Sequence, residues 1–120
     1  MIRKVDHFGI LTDDMDRSIG FYTDVLGMRV MERARLGDGT EVAFLAFPGQ
    51  EDVQVELVGR DPAGLPQEGR VNHLAFAVED IEAAMAALKA RGVDFSGEWP
   101  KTILDGRKIA FFYGPSGEKL

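Results

Sequence analysis

The two histidines of the chain, His7 and His73, occupy the same point of two similar segments. In each segment an aspartate, Asp14 or Asp80, follows the histidine by seven positions, and the two histidines are 66 positions apart. Neutral imidazole and carboxylate are ligands that suit divalent Zn, Ni, Co, Mn or Fe(II). With Glu56, a carboxylate on a later strand, they predict a site for one divalent metal ion: His7, Glu56 and His73.

A strand histidine is ordinarily a hydrogen-bonded core or surface residue, and a glutamate near a strand end is ordinarily solvated. The repetition favours a shared site over that alternative, because both imidazoles then project from equivalent strands. Small neighbours of His73, namely Ala75 and Ala77, share its predicted face and leave an open, concave surface.

The elements that must position these residues follow a repeated order. Residues 3–12 alternate as a strand with His7 on one face, and Asp14 is a typical N-cap for the helix that follows. Its apolar stripe is Met15, Ile19, Tyr22 and Leu26, and Gly27 ends it. Three further strands are predicted at 28–34, 41–47 and 53–58, with turns at 37–39 and 48–50.

Residues 59–70 contain two prolines and three glycines and predict a linker without a regular element. The same order then begins again. Residues 71–80 predict a largely buried strand, and Asp80 caps a helix with the apolar stripe Ile81, Met85 and Leu88 that ends at Gly92. Later strands are expected at 93–95, 101–104 and 107–113, with turns at 105–106 and 114–117, and the last one begins at 118–120. The prediction is an α+β fold: one domain over 1–120, with βαβββ modules at 1–58 and 71–120.

Composition excludes several classes of function. Fourteen Lys and Arg against twenty Asp and Glu give a net charge of −6, which argues against a nucleic-acid surface. Without cysteine the chain has no disulfide and no thiol catalysis. No signal peptide or membrane span is visible, so a cytoplasmic location is expected.

The doubled module resembles the vicinal oxygen chelate superfamily, which includes glyoxalase I, bleomycin resistance proteins and dioxygenases. The resemblance rests on His-Phe-Gly-Ile, Val-Glu-Leu, Asn-His-Leu-Ala-Phe-Ala-Val-Glu-Asp and Gly-Pro-Ser-Gly-Glu-Lys-Leu, in this order over the whole chain. It implies a cup-shaped, half-open sheet around one divalent metal, with His7, Glu56 and His73 as three of the ligands. The glyoxalase I branch is the nearest in pattern.

A fourth ligand of that family would fall at position 121, one residue beyond Leu120. Glu118 has the opposite strand parity and is expected to face the helices or solvent rather than the metal. We therefore expect either that the last strand continues in a longer chain, or that three protein ligands and water complete the site.

The resemblance implies a lyase that isomerises the hemithioacetal of a 2-oxoaldehyde with a thiol such as glutathione, through a metal-bound enediolate. Glu56, or the carboxylate expected at position 121, would then be the base as well as a ligand. Cations expected for the glutathione carboxylates are Arg33, Arg35, Arg60, Arg70, Lys101 and Lys108, and Trp99 and Phe95 either wall the pocket or pack the modules together. Segments 33–41, 59–70 and 96–108 would set substrate identity.

Other readings stay open at this stage. They are a metal-dependent epimerase acting beside a thioester, an extradiol dioxygenase with Fe(II), and a metal-free protein that sequesters small molecules. A homodimer is expected, with the metal site either within one chain or between subunits.

Overall fold

The computed structural model describes residues 1–65, 69–113 and 119–120. The fold is α+β, as predicted, and is built on a curved, open sheet of five strands with a separate two-stranded hairpin. The strands are β1 Ile2–Thr12, β2 Arg29–Arg35, β3 Glu41–Ala46, β4 Gln54–Gly59, β5 Val71–Val78, β6 Lys101–Ile103 and β7 Arg107–Ile109. The α-helices are α1 Met15–Gly20 and α2 Ile81–Lys89. In the part of the chain described, neither helix combines the length and apolar character needed to cross a membrane.

The large sheet joins the two repeats through their first strands. Its order is β2-β3-β4-β1-β5, with β1 parallel to β4 and antiparallel to β5. Gly9 on β1 pairs with Glu56 on one side and with His73 on the other. Two of the predicted ligands therefore flank a glycine at the centre of the sheet, across the join between the repeats.

Alternation along the strands separates two apolar layers. On the helix side, a buried cluster of Met15, Met28, Ala43, Leu45 and Leu57 packs with Ile19 and Tyr22 from the first helical segment. On the other side, Leu11, Val42, Phe44 and Val58 line the concave face, and Leu104 of the β6–β7 turn packs against them. The concave layer also carries the candidate ligands, because Glu56 alternates with Leu57 and His7 precedes Leu11 by an even number of residues.

The first helix begins as predicted and ends differently. The Asp14 side chain accepts a hydrogen bond from the backbone N–H of Arg17, which caps the helix. A π-helical turn follows at Phe21–Val25, before Gly27 leaves the helix with φ 83°. The wider turn rotates the residues after it out of the 3.6-residue register. Leu26, predicted to lie on the apolar stripe, is 43% exposed for this reason.

The second repeat is less regular than its sequence suggested. Asp80 caps α2 by accepting from the Ala83 N–H, and the turn at 105–106 joins β6 to β7, as expected. The strand predicted at Val93–Phe95 is wrong: within the described residues this segment has no ladder partner, and the backbone N–H of Val93 bonds back to Leu88 at the helix end. Strand β7 ends at Ile109 rather than at 113.

The linker, β4 and β5 also differ in small ways from the elements predicted from the sequence. The linker contains one short 3-10 turn, Pro62–Gly64, and Gly59 belongs to β4. In β5 only His73 is buried, and its apolar neighbours are half-buried or exposed, because the strand lies at the edge of the five-stranded sheet. At its outer edge the Leu74 N–H donates to the Lys119 carbonyl. The predicted turn at 114–117 and Glu118 lie outside the described residues.

Candidate metal centre

Three side chains from β1, β4 and β5 converge on the concave face of the sheet. The Nε2 atoms of His7 and His73 are 2.8 Å apart. The Oε1 atom of Glu56 lies 3.2 Å from Nε2 of His7 and 3.1 Å from Nε2 of His73. Within residues 1–65, 69–113 and 119–120 this is the one group of His, Asp and Glu side chains with metal-ligand spacing. The predicted ligands thus meet inside a single chain.

Gly9 creates the space in which the third ligand lies. It sits between Glu56 and His73 in the sheet, and a Cβ added there would fall inside van der Waals contact of the His73 ring. The imidazole therefore lies across the bare backbone of β1 and reaches His7. The His73 side chain is only 7% exposed in this position. A glycine at position 9 is required by this close approach.

Each imidazole is oriented by the residue that precedes it. Nδ1 of His7 donates to the Asp6 carboxylate at 2.7 Å, and Nδ1 of His73 donates to the Asn72 side-chain carbonyl at 3.1 Å. With the proton on Nδ1, a neutral imidazole carries its lone pair on Nε2. Both lone pairs then point at the Glu56 carboxylate, so three acceptors face one another with no donor among them. Three acceptors this close together are stable only with a positive charge between them.

In the metal-free chain that charge is a proton. Burial lowers the pKa of His7, but its hydrogen bonds to Asp6 and Glu56 outweigh burial and raise that pKa to about 9. Burial raises the pKa of Glu56, and the contacts of its carboxylate with the Nε2 atoms of His7 and His73 overcome this and lower it to about 2. At neutral pH, His7 is therefore an imidazolium that donates through Nε2 toward an ionised Glu56.

The same three atoms fit the ligand triangle of a divalent ion. Ligands held about 2.1 Å from an ion at right angles to one another are about 3.0 Å apart. The three observed separations, 2.8, 3.1 and 3.2 Å, lie around that value. Two imidazoles with one carboxylate on one face of an ion are also a known ligand set for first-row metals, with other positions left open. The donor set and its spacing both fit the metal predicted from the sequence.

Aromatic rings wall the centre on both sides. The ring of Phe44 is edge-on to His7 and that of Phe111 is edge-on to His73, each at 5.7 Å between centroids. Trp99 packs against Phe111 at 5.4 Å, so it belongs to the wall of the concave face. Phe95, the other predicted wall residue, instead packs against Phe112, the neighbour of Phe111.

The cations predicted to bind substrate carboxylates fall into two groups, those held in ion pairs and those with other contacts. Two are held in ion pairs: Arg33 binds Asp16 and Glu41, and Lys108 binds Glu82 on α2. The remaining four have other contacts: Arg35 donates to the Gly39 carbonyl, Arg60 donates to the Gly59 carbonyl, Lys101 lies over Trp99, and the Arg70 carbonyl accepts from the Leu11 N–H.

Two cations near the centre are not predicted by the sequence. Lys119 lies over the ring of Phe111, and Arg107 lies over the ring of Phe44. The repeat carried a signal for the two rings, since Phe44 and Phe111 are 67 positions apart and flank the two histidines equivalently. Nothing in the local sequence pointed to the cations above them.

A cleft of about 340 Å³ opens between the tips of two hairpins. Its lining comes from Arg35, Leu36 and Gly37 in the β2–β3 turn and from residues 102–106 around the β6–β7 turn. These belong to two of the three segments expected to set substrate identity. None of the three candidate ligands lines the cleft.

Comparison with known proteins identifies one family, and the relatives of this chain include two different kinds of enzyme. The profile of the Glyoxalase/Bleomycin resistance protein/Dioxygenase superfamily matches residues 4–120. The chain is 34% identical to a lactoylglutathione lyase of Haemophilus influenzae, over 98% of this chain and 89% of that protein. It is 27% identical to the mitochondrial methylmalonyl-CoA epimerase of Homo sapiens, over 92% of this chain and 66% of that protein.

Among solved structures, the methylmalonyl-CoA epimerase of Mycobacterium tuberculosis superposes with a TM-score of 0.86 at 27% identity. The match covers 98% of this chain and 85% of that one. The expected cup-shaped fold is therefore confirmed by the structural comparison as well as by the sheet itself.

Proposed function

Because the chain belongs to the Glyoxalase/Bleomycin resistance protein/Dioxygenase superfamily, we propose that it is a metal-dependent enzyme that moves a proton between adjacent carbons of its substrate. The favoured reaction is glyoxalase I-like: isomerisation of a 2-oxoaldehyde hemithioacetal through an enediolate. The observation that carries the proposal is the convergence of two Nε2 lone pairs and one carboxylate oxygen, 2.8 to 3.2 Å apart, on a concave face. The similarity to a lactoylglutathione lyase supports the choice of reaction.

His7, Glu56 and His73 would hold the ion. A divalent ion held there would supply Lewis acidity, which stabilises negative charge on the substrate oxygens and so favours loss of the carbon-bound proton. The outer hydrogen bonds from His7 to Asp6 and from His73 to Asn72 keep both rings in the tautomer that presents Nε2.

Glu56 would act as the base. Its carboxylate is ionised at neutral pH, and its side chain is 13% exposed on the concave face, where a substrate carbon can approach it. It would take the proton from the carbon that bears the sulfur and return it to the neighbouring carbon, while the hydroxyl proton of the first carbon passes to the oxygen of the second. Atoms and electrons balance without an added oxidant or reductant, because the product is an isomer of the substrate.

The aromatic walls would exclude water from this transfer. Phe44 and Phe111 close the two sides of the histidine pair, and Trp99 extends the second wall. A drier site strengthens the attraction between the cationic centre and the negative charge that develops on the substrate oxygens.

Epimerisation beside a thioester is the second candidate. It is favoured by the close structural similarity to a methylmalonyl-CoA epimerase. The same carboxylate would remove a proton next to a thioester carbonyl, and the proton would return to the opposite face of the same carbon. The two candidates need the same centre and differ in the substrate that the cup accepts.

The test is calorimetric titration of metal-stripped protein with Ni²⁺ and Zn²⁺. We expect one ion per chain for the wild type and loss of binding in His73→Ala and Glu56→Gln. Glu51→Gln is the matched control, because Glu51 is an exposed partner of Arg29 and should leave binding unchanged. Absence of binding by folded wild-type protein would contradict an enzyme and favour a metal-free binding protein.

Where metal binds, the two reactions are separated by substrate. Isomerisation of the methylglyoxal–glutathione hemithioacetal would support the lyase, and exchange of the α-proton of methylmalonyl-CoA with deuterium would support the epimerase. The homodimer and the cytoplasmic location expected from the sequence remain predictions.

A further inference from the structure

The outer partners of the two histidines have equivalent positions and different charges. Asp6 precedes His7, and Asn72 precedes His73 at the same point of the second repeat. Each side chain accepts a hydrogen bond from Nδ1 of its histidine, at 2.7 Å for Asp6 and 3.1 Å for Asn72. The chain contains eleven aspartates and a single asparagine, and that asparagine is Asn72. The two contacts therefore join the same kinds of atom and differ by one negative charge.

Orientation of the rings does not require this difference in charge. A carboxylate and an amide carbonyl both accept from Nδ1, and both leave the lone pair of Nε2 free. An aspartate at position 72 would hold the His73 ring as Asp6 holds that of His7. Its charge would, however, lie against a side chain that is only 7% exposed, where little water screens it. The asparagine therefore supplies the hydrogen bond without the charge.

The charges of the ligands and their outer partners show what the asparagine avoids. Glu56 is ionised at neutral pH, and so is Asp6, because its hydrogen bond with His7 holds the pKa of that carboxyl below its usual range. Two neutral imidazoles and these two carboxylates balance the charge of one divalent ion. With a second outer carboxylate the same assembly would be negative overall, and it would repel negative charge on a substrate.

We propose that Asn72 is a positioning residue that orients His73 while keeping the metal-loaded centre electrically neutral. The attraction of the ion for negative charge that develops on the substrate oxygens is then not offset by a third carboxylate. This inference rests on the proposed function, because the ion would lie at His7, Glu56 and His73. It applies to the lyase and the epimerase alike, since each removes a carbon-bound proton and must stabilise the anion that remains.

The test compares two small ligands of the bound ion: azide, which carries one negative charge, and imidazole, which is neutral at pH 8. Protein loaded with Co²⁺ is titrated with each, and the visible absorption of the ion reports binding. We expect Asn72→Asp to bind azide about tenfold or more weakly than wild type, the order for one added charge beside a partly buried centre. Its affinity for imidazole should stay within about twofold of wild type, whereas disturbed ligand geometry would weaken both.

Exchange of the two outer partners separates charge from position. Asp6→Asn should bind azide more tightly than wild type by a similar factor. The double variant with Asp6→Asn and Asn72→Asp should return to within about threefold of wild type, because its total charge is restored. Gln50→Glu is the matched control, since it adds the same charge at an exposed position in the turn between β3 and β4 and should change neither titration.

Three results would overturn the inference while leaving the proposed function intact, because Co²⁺ binding itself would persist. They are equal azide affinity in wild type and Asn72→Asp, parallel loss of azide and imidazole binding in that variant, and a double variant that binds azide as weakly as Asn72→Asp alone. If folded wild-type protein binds no divalent ion, the proposed function fails and this inference fails with it.

Discussion

Metal binding by this chain should depend steeply on pH, because the metal must displace one proton. In the metal-free centre His7 is protonated on both ring nitrogens, and its pKa is raised to about 9. A metal ligand needs the free lone pair on Nε2. Glu56, with a pKa of about 2, is already ionised and contributes no proton above pH 5. The apparent affinity should therefore follow the deprotonated fraction of His7.

The size of the effect follows from that pKa. Well below pH 9 the deprotonated fraction rises tenfold per pH unit and then levels off, so the association constant for Ni²⁺ should rise about 75-fold from pH 6.5 to 8.5. Calorimetry in two buffers of different ionisation enthalpy gives the number of protons released. We expect a value near one at pH 7.

The Asp6→Asn variant tests whether the hydrogen bond between Asp6 and His7 is the cause of the proton release. The Asp6 carboxylate accepts from Nδ1 of His7, and this hydrogen bond is the largest interaction that raises the histidine pKa. The variant should lower that pKa and release clearly less than one proton at pH 7.5. Asp38→Asn is the matched control, since Asp38 caps the β2–β3 turn by accepting from the Thr40 N–H. Release of no proton by wild type, or equal release by both variants, would refute the reasoning.

The same proton on His7 should stabilise the metal-free fold, although it opposes metal binding. The folded-state pKa of His7 is raised from 6.5 to about 9, so its contribution is fully present below pH 6.5 and is lost as pH rises through 9. The folded-state pKa of Glu56 is lowered from 4.5 to about 2, so its contribution is present above pH 4.5 and is lost as pH falls through 2. One ion pair underlies both shifts. Urea unfolding should give a maximum between about pH 4.5 and 6.5 for this contribution.

Two further predictions concern packing, each with a matched control, and both are read by urea unfolding. Gly9→Ala should abolish Ni²⁺ binding and lower the free energy of unfolding by about 1–3 kcal/mol, because the new methyl group would displace the His73 ring. Gly37→Ala, which meets open space, should change neither quantity; a Gly9→Ala protein that binds metal normally would contradict the position of His73. Leu57→Ala should lower the free energy of unfolding by about 2–5 kcal/mol, because Leu57 has no exposed surface. Val25→Ala, at a residue 67% exposed, should stay within about 0.5 kcal/mol of wild type, and equal losses at both positions would refute the assigned core.

The candidate site was predictable because the sequence repeats. Strand alternation has period two, so it fixes the face of the sheet from which each histidine projects. The equivalent position in the two repeats fixes how far along its strand each ring lies. Glu56 follows from the same alternation on the strand that pairs with β1. The caps Asp14 and Asp80 were also readable, because an N-cap aspartate acts on backbone groups only two or three residues away.

Other features depend on contacts that local sequence does not encode. The π-helical turn that exposes Leu26 is a hydrogen-bond shift within an otherwise helical pattern. The segment at 93–95 has strand-forming residues but lacks a ladder partner among the described residues. Lys119 and Arg107 reach the centre only because the sheet curves and brings distant rings beneath them.

The pairing of β1 with β5 also bears on how the chain folds. It joins ligands 66 residues apart, so the centre is assembled from long-range contacts, which form slowly. The segment 1–58 carries His7 and Glu56 but lacks the strand that supplies His73. A metal ion would therefore favour only chains in which both halves have already met, adding about 2.7 kcal/mol at a free concentration 100 times its Kd. The rate at which metal binding recovers during refolding would then report when β1 pairs with β5, separately from the formation of either half.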